Sequence, residues 1–172
     1  MNWRRITLGV VGVLAVGLGA LSFSSFEIRE EVVIDAPPEK VWAVIIDFPS
    51  YAEWNSQLAW LGGVAAPEAT LKLRLSAEGT DPYEFEPVVS HFEPNVRFAW
   101  FARTGAPRVF DGEHFFELEP LAGGKTRLVN RERYSGLLAP IIQRQPMMQG
   151  APKGFVKMND ELKRRAERAF GQ

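Results

Sequence analysis

Hydrophobic and polar positions alternate most clearly between Asp111 and Gly136, DGEHFFELEPLAGGKTRLVNRERYSG, in two arms joined by a Gly-Gly turn. In the first arm Gly112, His114, Phe116 and Leu118 share one face, and Asp111, Glu113, Phe115, Glu117 and Glu119 share the other. Period two predicts a strand. In the second arm Thr126, Leu128, Asn130, Glu132 and Tyr134 fall together, leaving Arg127, Val129, Arg131 and Arg133 opposite. Acids on one outer face and arginines on the next predict antiparallel neighbours with cross-strand pairs, turning through Ala122 to Lys125.

The face left for the interior is mixed. A sheet that only packs against a helix presents Val, Ile and Leu inward, whereas this one presents His114, Asn130, Glu132 and Tyr134. A buried polar group without a partner costs about 1–3 kcal/mol, and a buried carboxylate costs more. Four such groups point to a wet or ligand-lined cavity. The competing reading is an ordinary core in which they satisfy one another and waters, or a pleat displaced by one residue, which exchanges the faces.

The same patterning assigns the other elements. Phe26 to Asp35 alternates and then turns apolar, a strand with Ile28 and Val32 inward. Ala36-Pro37-Pro38-Glu39 opens a helix where proline's missing N–H costs least, and Val41, Trp42, Val44, Ile45 and Phe48 give that helix a broad apolar face ending at Pro49. Ser50 to Asn55 suits a second short helix, with Tyr51 and Trp54 closing one end of a barrel or groove. Short antiparallel strands follow at Gln57 to Leu61, Thr70 to Ala77, Tyr83 to Phe92 and Val96 to Arg103, separated by Gly- and Pro-rich turns. Gly136 to Gly150 is apolar but broken by Pro140 and Pro146, so it reads as a loop or interrupted helix, with Gln143 to Met148 either a rim or plain packing. Pro152 to Ala169 is an amphipathic helix with Phe155, Met158, Leu162, Ala166 and Ala169 in one stripe.

Residues 1–25 stand apart. Arg4 and Arg5 precede Ile6 to Phe23, a run without charge that would reach about 27 Å as a helix, close to the hydrocarbon thickness of a bilayer. Arginines before it and acids from Glu27 onward orient the amino terminus toward the cytoplasm and the domain outward. An uncleaved anchor through residues 6–23 and a cleaved secretory signal both fit, the second because Ala20-Leu21-Ser22 weakly resembles a cleavage site; a buried amino-terminal helix lacks the amphipathic stripe it would need. The domain would then be membrane-anchored on the extracytoplasmic side, or secreted or periplasmic after cleavage.

Composition narrows the chemistry. A net charge of −1 over 172 residues leaves no basic footprint for nucleic acid. There is no cysteine, so disulfides and thiolate catalysis are excluded, and the two histidines, His91 and His114, lack metal-site spacing. Neither metal nor cofactor is expected.

The order of elements is strand, two short helices, six strands and a long terminal helix, an α+β arrangement of about seven strands wrapped around that helix with a space between them. Over Phe26 to Ala169 the chain resembles the START-like, helix-grip superfamily, also called SRPBCC, which includes polyketide cyclase and dehydrase-like proteins. The resemblance rests on IDAPPEKVWAVIIDFPSYAEWN, on DGEHFFELEP followed by GGKTRLVNRERYSGLLAP, and on the terminal MNDELKRRAE. It implies a domain at 26–172 that binds a hydrophobic or amphipathic small molecule, lipid-like or polycyclic, beneath the terminal helix. Trp54, Trp100, Phe116 and Leu128 would supply apolar wall, and His114, Asn130, Glu132 and Tyr134 would hold a polar group. An enzymatic reading uses Glu132 or His114 as general base and Tyr134 as proton donor in a cyclisation or dehydration. A third reading, a protein-interaction module, places the function on the outer sheet face.

Overall fold

The computed structural model describes residues 24–78 and 80–170. The expected membrane segment at 6–23 lies outside them; among the described residues no helix is long and apolar enough to cross a membrane. In chain order the elements are β1 (Ser25–Ile34), α1 (Pro38–Ile46), a 3-10 turn (Phe48–Glu53), β2 (Leu58–Gly63), β3 (Leu71–Leu75), β4 (Tyr83–Phe85), β5 (Val88–Glu93), β6 (Arg97–Thr104), β7 (Phe110–Leu121), β8 (Lys125–Ser135), α2 (Ala139–Ile142) and α3 (Pro146–Phe170). The strands form antiparallel sheets in the orders β1-β8-β7-β6-β5 and β2-β3-β4. A bridge between Thr70 and Val88, with Leu71 N–H donating to the Pro87 carbonyl at 2.9 Å, carries one sheet into the other. The result is a curved antiparallel surface closed by α3.

Two elements depart from the expectation, and proline explains both. The stretch Tyr83 to Phe92 is two strands rather than one, because Pro87 has no N–H to offer the ladder; the described strands therefore number eight rather than about seven. The terminal helix begins at Pro146 rather than Pro152 and carries Pro152 inside it. Pro146 occupies the first turn, where an N–H has no intrahelical partner anyway, and Pro152 removes a single bond close to that end. The expected second helix is the 3-10 turn, in which Tyr51 is fully buried and donates its hydroxyl to the Ile45 carbonyl at 2.6 Å.

The pleat of the central hairpin has the expected phase. The register pairs Leu118 with Leu128, Phe116 with Asn130, His114 with Glu132 and Gly112 with Tyr134, all on the face toward α3. On the outer face Arg131 holds Glu117 through two bonds, Nε to Oε2 at 3.0 Å and Nη2 to Oε1 at 2.9 Å, and Arg127 reaches Glu119 at 2.8 Å. Phe115 stays buried on that outer face because the Arg131 guanidinium lies over its ring, 3.9 Å from the centroid.

The core lies between this sheet, α1 and α3. Val41, Trp42, Val44 and Ile45 of α1 meet Phe98, Phe116, Leu118 and Leu128 of the sheet, and Met158, Leu162 and Ala166 of α3 seal it. The edges of Phe92 and Phe98 meet the Trp42 ring, at centroid distances of 5.2 and 6.2 Å. This core fills only part of the space under α3.

Candidate functional site

Beyond the core, the sheet and the first half of α3 stand apart around a cavity of about 630 Å³. One wall is the open end of the β7–β8 hairpin: Gly112, His114, Glu132, Tyr134 and Phe110. Trp100 and Ala102 of β6 continue it, Tyr83 and Phe85 of β4 and Leu58 and Leu75 of β2 and β3 curve round the side, and Met147, Met148, Phe155 and Met158 of α3 form the roof. Gln57 fastens that roof by donating Nε2 to the Gly154 carbonyl at 2.9 Å. Gly154 permits the approach, since a Cβ there would stand 2.8 Å from the Gln57 side-chain oxygen.

His114, Glu132 and Tyr134 converge at one wall, while Glu78 and Glu86, and Lys153 and Lys157 of α3, line the cavity elsewhere. His114 is sandwiched between Trp100, 4.6 Å away and nearly parallel, and Phe155 at 5.2 Å. Its Nδ1 faces Glu132 Oε2 at 3.4 Å. A carboxylate only accepts, so a ring proton belongs on Nδ1, and in the tautomer that carries its proton there Nε2 is an acceptor. That Nε2 is buried with no partner among the described residues. The other carboxylate oxygen of Glu132 lies above Gly112, where an added Cβ would come within 3.1 Å of it. Glycine at this strand position makes room for the acid.

Tyr134 adds a donor. Burial, then the charge of Glu132 and a hydrogen bond to it, push its phenol well above the usual tyrosine range. Desolvation and then Glu132 also push the Tyr83 phenol up, even though the residue is 45% exposed. Both phenols hold their protons, and Glu132 faces two tyrosines and a histidine. Tyr134 is fixed by stacking between Phe26 at 4.9 Å and Phe110 at 5.5 Å.

Of the expected site residues, His114, Glu132, Tyr134 and Trp100 come together on this wall. Phe116 and Leu128 belong instead to the packed core further along the same face, where α1 covers them. Asn130 is fully buried there too, donating Nδ2 to Asn159 Oδ1 of α3 at 2.9 Å. Trp54 packs edge-on to Tyr51 at 4.7 Å, against the core, and does not line the cavity. Residues the patterning did not assign to the site are Tyr83, Phe85, Phe110 and Gly112. For Tyr83 and Phe85 the sequence signal was alternation on a short strand, and Gly112, on the long strand β7, had been placed on the inward face without a role.

A curved antiparallel sheet gripping one long helix above a lined cavity defines a helix-grip, START-like domain. The chain belongs to the family described as polyketide cyclase / dehydrase and lipid transport, which matches residues 25–167. Its fold is similar to that of the Zhui aromatase/cyclase from Streptomyces sp. R1128, with a TM-score of 0.66 at 18% identity over 84% of this chain and 95% of that one. A START superfamily protein from Mycobacterium smegmatis gives 0.63 at 20% identity over 83% and 98%. Norcoclaurine synthase from Thalictrum flavum, solved with dopamine and hydroxybenzaldehyde, gives 0.66 at 12% identity over 88% and 92%. At such identities the likeness is one of fold. Comparison with curated protein sequences finds no match.

Proposed function

We propose that this domain binds a hydrophobic or amphipathic small molecule, lipid-like or polycyclic, in the cavity beneath α3, and that residues 6–23 keep it at a membrane with the domain on the extracytoplasmic side. The observation that carries the reading is the placement of Glu132 and the unpartnered Nε2 of His114 on one wall of an otherwise largely apolar cavity. With the His114 proton on Nδ1 both groups accept, so the ligand they suit offers an O–H or N–H, with its apolar part against Trp100, Phe85, Phe155 and the methionines.

The enzymatic alternative rests on the same cluster, because His114, Glu132 and Tyr134 are adjacent and Glu132 would serve as general base. One feature weighs against Tyr134 as the proton donor: a phenol raised well above its ordinary range is a weak acid, suited to hydrogen bonding rather than to giving up its proton. Glu132→Gln separates the readings. A carrier loses affinity several-fold and keeps its ligand selectivity; an enzyme loses turnover far more than binding; an interaction module changes little. Native mass spectrometry of the full-length chain, extracted gently from its own host's membranes, is the direct test. A discrete small molecule released from the wild type and depleted in Glu132→Gln supports binding at this wall. An empty wild-type domain under the same conditions overturns it as a carrier.

A further inference from the structure

One end of the sheet gathers features that the cavity alone does not require. The register brings Ser25, Ser135 and Asp111 side by side, and Thr104 opposite Phe110, so the start of β1, the end of β8 and the β6–β7 loop share that end. The Gly136 amide donates to the Ser24 carbonyl at 3.0 Å, and the amides of Leu137 and Leu138 donate to the carbonyls of Arg108 and Val109 at 2.9 and 3.0 Å. Backbone bonds thus tie α2 and the β6–β7 loop to the residue that immediately follows the apolar run 6–23. Beside that tie Leu138 and Ile141 are exposed, Ile141 by 57%. A few residues on, Met147 and Met148 form the near end of the cavity roof, with Phe110 on the facing wall.

The segments that would meet the bilayer carry charge of one sign. Residues 101–110 and 136–157 contain Arg103, Arg108, Arg144, Lys153 and Lys157 and no acid. The adjacent Asp111 is paired with Arg103 at 2.9 Å, and Glu78 and Glu86 lie across the cavity on the β3 and β4 side. Exposed aliphatic side chains on segments that carry cations and no acids are the composition that seats in an anionic bilayer surface, where each Lys or Arg near the headgroups adds attraction.

We propose that α2, the first turn of α3 and the β6–β7 loop form a lipid-docking face, seating Leu138 and Ile141 in an anionic bilayer and turning the methionine end of the cavity toward it. The occupant is lipid rather than a second protein, because the segment that bears the apolar patch is bonded at Gly136 to Ser24, the residue that follows the predicted membrane run in sequence. The inference rests on the reading of residues 6–23 as a membrane segment. It gives that segment a second purpose: the domain is set down on the membrane with its cavity facing the lipid, instead of hanging from a tether.

The absence of cysteine makes the test direct. Single cysteines replace Ile141, Val96 or Val13 in the full-length chain, each carries an environment-sensitive fluorophore, and the protein is reconstituted in phosphatidylcholine–phosphatidylglycerol vesicles containing a nitroxide-bearing lipid. Val96 is the matched control, 51% exposed in the turn before β6 and therefore at the opposite end of that strand. The expected result is at least twofold quenching at Ile141→Cys and Val13→Cys with none at Val96→Cys. Quenching at Val13 with none at Ile141 overturns the docking face and leaves the anchor standing. No quenching at Val13 removes the membrane reading, and the docking proposal with it. A label at Leu138→Cys repeats the measurement independently and must follow Ile141.

Discussion

The inward face of the β7–β8 hairpin is solid at one end and hollow at the other. At the turn end the cross-strand pairs Leu118–Leu128 and Phe116–Asn130 are buried under α1 and α3. At the open end the next pairs, His114–Glu132 and Gly112–Tyr134, border the cavity. Backbone, pleat and strand neighbours are shared, so the difference arises from the side chains and from what lies above them. Where α1 covers the sheet, large apolar groups interlock, and Asn130 is tied to Asn159 by a single hydrogen bond that leaves Asn130 Oδ1 and Asn159 Nδ2 without a partner among the described residues. Beyond α1, glycine and a carboxylate replace bulk, and α3 is held off by its own methionines and by Phe155. A sheet face is therefore not uniformly core or site; the helix above each pair decides which it becomes.

The largest effect should come from the solid end. Leu128→Ala removes a fully buried side chain from the middle of the core, and should cost about 2–5 kcal/mol. For a domain of this size that lowers the thermal midpoint by roughly 4–20 °C, while the folded fraction retains any bound molecule at wild-type stoichiometry. Thermal unfolding followed by circular dichroism, paired with native mass spectrometry at a temperature where the mutant is folded, measures both. Loss of ligand with unchanged stability would place the binding space at the wrong end of the face.

The hollow end should respond in the opposite way. Gly112 is not in the left-handed region, and an added Cβ would meet the movable end of Glu132 at 3.1 Å and the Tyr134 ring at 3.5 Å. Gly112→Leu should therefore fold, push Glu132 aside and fill the cavity beside His114. Retention of a bound molecule should fall at least tenfold, about 1.4 kcal/mol, with the thermal midpoint close to wild type. If the molecule stays bound, the polar wall is not where it sits. Glu132→Gln is the gentler probe of the same wall, expected to weaken binding several-fold without filling any space.

What could be read from residues alone follows the same division. Period-two alternation is a local property, so the pairing of β7 with β8, the arginine-acid outer face and the inward set were legible in DGEHFFELEP and KTRLVNRERYS. So were His114, Glu132 and Tyr134 as inward polar groups that an ordinary core would not hold. Where along that face the core gives way to the cavity was not legible, since it depends on how far α1 reaches over the sheet; Phe116, Leu128 and Asn130 were assigned to the cavity for that reason. Trp54 looked like a cavity wall because aromatic spacing does not tell which side of a turn a ring takes. Tyr83 and Phe85 reach the site from β4, which belongs to the second sheet while β5 beyond Pro87 belongs to the first, a tertiary arrangement that alternation alone does not show.

The outer face supplies the smallest effect and a check on the whole comparison, because its acids pair with arginines where Glu132 on the inner face meets a histidine and a tyrosine. The two-pronged hydrogen bond from Arg131 holds the Glu117 carboxyl below its ordinary range, against some desolvation, with the Arg131 and Arg97 charges adding to it. A depressed carboxyl stabilises the fold fully only above its unfolded pKa, about 4.3 for glutamate. That stabilisation fades as pH falls through the lower folded value, because the unfolded chain then binds the proton more readily. The pair is partly exposed, so the loss should be about 1 kcal/mol or less. Glu117→Gln should lower stability by that amount at pH 7 and leave it nearly unchanged near pH 3, flattening the acid limb of a denaturant-melt series. Ligand retention should not move at either pH in the folded protein, since Glu117 faces away from the cavity; if it does move, the two faces of the hairpin are coupled through Phe115 and Arg131, and the division between structural outer face and functional inner face fails.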